Sequence, residues 1–204
     1  MPKRFISILA SLLILPAIIS LAFADTEQSG NKVPEVKELY ELGIEYFQPV
    51  QRDRQIRTAT ANILKRSGYY DDLLITVYAG LTVNYAWGHI LQEDRLNREI
   101  EYSNSAFGIG PLFHARWSPI SVDGLALSMD AAGGILFHNK AFPAGGDYYN
   151  FIWRIGPSIS YPLKDKQTLI LGFRMMHVSN GQGVTRDNPA YDAAGVSLHV
   201  SRYF

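Results

Sequence analysis

The sequence predicts an all-β fold, an eight-stranded antiparallel transmembrane β-barrel of the outer membrane. Three observations predict it. Several segments of ten or more residues alternate between a greasy face and a small or polar face. Short and long connections alternate between those segments. The chain opens on an export-type segment, and no later stretch is apolar for long enough to be a membrane helix. A soluble barrel or sandwich is the rival. It shows the same alternation with its apolar face inward, but its strands typically run to about 5–6 residues. Strand length and the export segment favour the membrane barrel.

The chain has 204 residues, enough for one domain. Basic and acidic residues balance at 19 each, so no positive excess points to nucleic acid. The absence of cysteine excludes disulfides, thiolate metal sites, a cysteine nucleophile and a lipidated N-terminal cysteine. Twelve tyrosines, ten phenylalanines and seventeen glycines favour strands and tight turns over helices.

Residues 1–24 read as a signal peptide. Lys3 and Arg4 give the positive end, an apolar core broken by Pro16 follows, and Ala22-Phe23-Ala24 is the cleavage pattern before Asp25. An uncleaved anchor helix is the alternative. Residues 25–70 form an N-terminal segment whose first strands are the weak part of the pattern. Residues 37–47 place Tyr40, Leu42, Ile44 and Tyr46 on one face and fit a strand. Residues 52–64 fit a strand poorly and suit an amphipathic helix equally well.

Residues 71–204 hold the main part of the barrel. Strands are expected near 72–87, 105–117, 124–137, 148–162, 168–179 and 192–204, and the even number eight requires two more before residue 71. Leu73, Ile75, Val77, Leu81, Val83 and Trp87 form the first apolar face, and Phe107, Ile109, Phe113 and Trp117 the second. Leu125, Leu127, Met129, Ile135 and Phe137 form the third, and Tyr149, Phe151, Trp153, Ile155, Ile159 and Tyr161 the fourth. Trp87, Trp117, Tyr149 and Tyr161 lie towards segment ends, as aromatic girdles do. Arg116, Asp130, Arg154 and Arg174 take the opposite parity, so they point inward and can pair there. His114 and His199 share that inward parity, whereas His89 and His138 fall in expected outer loops. The connections 118–124 and 162–167 are short and read as periplasmic turns. The longer stretches 88–104, 138–147 and 180–190 read as outer loops. Val196, Leu198 and Val200 precede Phe204 on one face, and a terminal aromatic suits the last strand of such a barrel.

The penultimate strand carries the candidate chemistry. Leu169, Leu171, Phe173, Met175, His177 and Ser179 share its apolar face, against Gly172 and Arg174 on the other. His177 and Ser179 therefore face lipid, at the end remote from the short turn. The last strand descends beside it, and Asp192 has the outward parity of Val196 and Leu198. A hydroxyl, an imidazole and a carboxylate thus converge at the outer rim, the inventory for nucleophilic acyl transfer. Oxyanion donors are available in Asn180, in the Gly181 and Gly183 amides and in Asn188. The five histidines do not cluster at metal-ligand spacing, so no required metal is expected.

The segment His177-Val178-Ser179-Asn180, followed by a glycine, Asn188-Pro189 and an acidic residue, resembles the PagL family of outer-membrane lipid A 3-O-deacylases. That resemblance implies an eight-stranded barrel that hydrolyses the ester-linked acyl chain at position 3 of lipid A, without a cofactor. It implies His177 as base, Ser179 as nucleophile, Asp192 as the acid, and Asn180, Gly183 and Asn188 around the oxyanion. Two features depart from the family pattern: one extra residue between Asn180 and Gly183, and Asp192 where the family has Glu. The implied partners are lipid A or lipopolysaccharide as substrate and the outer membrane itself, with no nucleic acid, and the barrel can be a monomer or a homodimer. The acyl chain would lie along Phe173, Met175 and Val196. Two other readings are a non-enzymatic barrel, adhesin or structural, and a phospholipase-like barrel esterase.

Overall fold

The computed structural model describes residues 38–93, 99–164, 166–181 and 189–203. The expected signal segment 1–24 lies outside them. Eight antiparallel strands close into a barrel in sequence order: β1 (Leu39–Pro49), β2 (Arg54–Tyr70), β3 (Ile75–Glu93), β4 (Glu99–Val122), β5 (Leu125–Phe142), β6 (Asp147–Pro162), β7 (Gln167–Ser179) and β8 (Tyr191–Tyr203). Closure comes from β1 pairing with β8, from Leu39 opposite Tyr203 to Pro49 opposite Ala193. It leaves no open edge, the condition for crossing hydrocarbon with strands.

The alternation sorts outward and inward as the membrane reading requires. Leu42, Ile44, Ile63, Leu81, Val83, Phe107, Ile109, Leu127, Phe151, Trp153, Phe173 and Val196 are all exposed on the outer wall. Such a continuous apolar wall would not be stable in water, and it is the surface of a transmembrane barrel of the outer-membrane type. The interior holds the polar set. Glu41, Glu45 and Asp130 meet Arg116, Arg154 and Arg174, all buried. Arg116 holds Glu41 with two bonds of 2.7 and 3.1 Å and Asp130 through Nε at 2.9 Å. Arg174 also bonds Asp130, and Arg154 donates to Glu45 Oε2 at 2.5 Å. Three carboxylates and three guanidiniums leave no net charge from these six groups, which is what makes their burial tolerable. Apolar layers lie on both sides of this network. Leu39, Leu64, Tyr78 and Leu112 form one, and Phe47, Ile56, Leu136, Phe142, Met176 and Tyr191 lead the other.

His199 of β8 is woven into the network, with Nδ1 2.7 Å from Glu41 Oε1. Its ring lies against Gly43, where a Cβ would come within 2.5 Å of the imidazole. Only glycine leaves room there. His114 takes the inward position expected of it, 3.5 Å from Asp130.

One open choice is settled and two expectations are corrected. Of the strand and helix readings left open for 52–64, the strand holds from Arg54, and Leu39–Pro49 is the strand expected at 37–47. Ile56, Thr58, Thr60, Asn62 and Leu64 point inward from β2, while Arg57, Ala61 and Ile63 point outward. Polar side chains occupy both faces, so the period-2 signal is weak there. The segment 88–104 is mostly a continued hairpin, paired from Gly88 opposite Asn104 to Glu93 opposite Glu99. Backbone pairing continues beyond the apolar belt, where side chains no longer need to alternate in hydropathy. His138 is therefore no loop residue. It is buried on β5 with Asn150 Nδ2 at 3.2 Å, and His89 on β3 has Glu101 as a carboxylate partner at 3.6 Å.

Candidate active site

The alternation of β7 sets the face of the site. Ile170, Arg174, Met176 and Val178 are buried inside, and Leu171, Phe173 and Met175 are exposed outside. His177 and Ser179 share the outer face and are half-buried, and Ser179 is the last residue of the strand. On β8, Tyr191 and Ala193 are buried inside, so Asp192 between them points outward.

Register joins the histidine to the acid. His177 lies directly opposite Asp192, and Nδ1 is 2.7 Å from Asp192 Oδ1. The two side chains are 28% and 38% exposed. One methylene less than glutamate is therefore no obstacle, because cross-strand neighbours bring a short carboxylate within reach. With Nδ1 as the donor to Asp192, Nε2 is the basic nitrogen of the imidazole. Ser179 sits one outward position further along, about 7 Å between Cα atoms at strand geometry.

Two side chains that the alternation alone did not mark complete the arrangement. Trp153 of β6 pairs with His177 on its other side and stacks on the ring, centroids 5.6 Å apart at 25°. The indole covers one face of the imidazole and helps fix the orientation of the ring. Gln51, in the connection between β1 and β2, clamps the acid. Its Nε2 donates to Asp192 Oδ2 at 3.0 Å, and its Oε1 accepts from the Asp192 backbone N–H at 3.2 Å. Gln51 arrives there because β1 closes the barrel on β8, where Val50 N also donates to the Asp192 carbonyl. Trp153 was legible as an outward residue, though not as the partner of His177. No local signal marks Gln51, since its role follows from closure.

The expected oxyanion residues divide. The Asn180 side chain is buried on the inward side and donates Nδ2 to Asp147 Oδ2 at 3.2 Å. It ties the end of β7 to the start of β6. At Gly181 the chain leaves the strand with φ +81°, a left-handed conformation that glycine adopts without a Cβ clash. Gly183 and Asn188 lie outside the described residues. Among the described residues no three His, Asp or Glu side chains converge as metal ligands.

No family model matches the sequence, and no curated protein does. Solved structures similar to the chain include the crystal structure of the outer membrane enzyme PagL. It is 14% identical, with a TM-score of 0.48 over 80% of this chain and 99% of that one. Another is the solid-state NMR structure of outer membrane protein AlkL in lipid bilayers, 11% identical, with a TM-score of 0.37 over 88% of this chain and 96% of that one.

Proposed function

We propose that this protein is an esterase of membrane lipid, and specifically a lipid A 3-O-deacylase acting in the outer leaflet of a Gram-negative outer membrane. The observation that carries the proposal is the His177–Asp192 bond of 2.7 Å on the lipid-facing wall, with Ser179 beside it on the same face. An imidazole, a carboxylate and a hydroxyl directed at lipid are costly in a barrel that only spans. They make sense where the substrate is the membrane itself.

His177 Nε2 takes the proton of Ser179 Oγ as that oxygen attacks the ester carbonyl. Asp192 holds the ring by Nδ1 and stabilises the imidazolium that forms. Backbone N–H groups at the start of the 180–190 loop, with Gly183 and Asn188 as the motif resemblance implies, meet the oxyanion. The histidine then returns its proton to the leaving alkoxide. Water, activated by the same nitrogen, releases the fatty acid from the acyl-serine. The acyl chain runs down the wall past Phe173, Met175 and Val196, all exposed there.

Mass spectrometry of lipid A from Gram-negative cells expressing the protein tests this. Loss of one 3-linked hydroxyacyl chain is expected with the wild type and not with Ser179→Ala. Unchanged lipid A from correctly folded wild-type protein overturns the proposal, and fatty acid released from glycerophospholipids instead would redirect it to a phospholipase.

A further inference from the structure

We propose that Arg57 of β2 is the anchor of an anion subsite that binds a phosphate group of the amphiphile processed at His177 and Ser179. The proposal rests on the esterase reading above. Arg57 is exposed on the lipid-facing wall, where an unpaired charge is expensive unless it meets an anionic headgroup. Among the described residues its one hydrogen bond is a long one, Nε to Gln48 Oε1 at 3.4 Å. The terminal nitrogens, the fork that matches phosphate oxygens, are left to a ligand.

Its depth is marked by aromatics. Arg57 lies directly opposite Trp87. Trp87 stacks on Tyr85 with centroids 5.3 Å apart and lies 6.2 Å from Tyr46. Clustered outward Trp and Tyr sit at headgroup level, so Arg57 does too. The lateral position also fits. β8 and β1 separate its strand from β7, and the register runs from Arg57 through Gln48 and Ala194 to Met175, so three strand spacings, about 14 Å, and two residues along the strand lie between Arg57 and His177. A disaccharide-sized headgroup spans that gap, with an ester at Ser179 and a phosphate at Arg57. The intervening wall is suitably low and polar: Ala194 and Gln48 lie in register with each other on β8 and β1.

The experiment measures lipid binding to the full-length Ser179→Ala protein in detergent micelles by native mass spectrometry. The probes are phosphorylated lipid A, its dephosphorylated form, phosphatidic acid and diacylglycerol. The phosphorylated form of the preferred pair is expected to bind about tenfold more tightly, the worth of one charge-assisted hydrogen bond. Arg57→Gln should bring that ratio close to one, and Arg57→Lys should retain part of it. Preference within the glycolipid pair and preference within the glycerolipid pair both support the site, and tell which lipid carries the phosphate. A ratio near one in the parent protein, or a ratio unchanged by Arg57→Gln, overturns it. Hydrolysis by the wild-type protein is read in parallel. Phosphate preference without any hydrolysis sinks the esterase reading and leaves the anion site standing, whereas hydrolysis without phosphate preference does the reverse.

Discussion

His177 and His199 stand on neighbouring strands, and each holds a carboxylate through Nδ1 at 2.7 Å, Asp192 in one case and Glu41 in the other. The second pair is 2% and 0% exposed, inside the barrel and surrounded by Arg116, Asp130 and Glu45. The first is 28% and 38% exposed, on the outer wall beside a serine. A histidine–acid bond is thus not a site by itself. Inside, it is one link in a balanced ionic network with no access for a substrate. Outside, the same bond orients a base towards the lipid.

Substitutions can break that comparison. The largest effect is expected at the outer pair. His177→Ala or Ser179→Ala should lower lipid deacylation by roughly 10⁴-fold or more, because members of such a unit act together. His199→Ala should leave measurable deacylation in whatever fraction folds. Equal loss from both histidines, in protein of native heat-modified gel mobility, would erase the distinction drawn above. Asp192→Asn keeps the shape but removes the charge that holds Nδ1–H, and a loss of about 10²–10⁴-fold in kcat is expected from single-turnover assays.

The inner pair should answer in stability. Glu41→Gln removes one of the two carboxylates paired with the Arg116 guanidinium, the one bonded through both of its oxygens, and leaves Asp130 as the other. Breaking a buried pair from one side costs about 3–5 kcal/mol, readable as a lower urea midpoint for unfolding from liposomes. The outer Asp192→Asn should move that midpoint by much less, since both its side chain and His177 are partly exposed. The smallest effect is expected at Gln51. Gln51→Ala removes a clamp on Asp192 without removing the acid, so kcat should fall about tenfold with KM unchanged, in line with one lost hydrogen bond. A change in KM alone would assign Gln51 to lipid contact and not to positioning.

Much of this was legible in the chain because a β-strand converts parity into face. The outward run Phe173, Met175, His177, Ser179 and the inward Arg174 follow from alternation alone, and the structure keeps every one of them. β2 was obscure for the same reason. Arg57 and Gln55 on one side and Thr58, Thr60 and Asn62 on the other are all polar, so neither face announces itself. The stretch 88–104 was obscure because strand pairing continues past the membrane, where hydropathy carries no instruction.

The amino-acid sequence by itself determined which side of most strands meets lipid, that charged residues would fill the interior, and that a histidine and a serine would share the outer rim. Those are consequences of a period of two set by the backbone. Only the tertiary structure decided partners. That Asp192 stands opposite His177, that Trp153 covers its ring and that Gln51 reaches round to hold the acid depend on strand register and on β1 meeting β8. The pairing of Glu41 with Arg116 joins residues 75 apart and depends on the same closure. Register is settled by cooperative hydrogen bonding across strands far apart in sequence, and no local pattern encodes it.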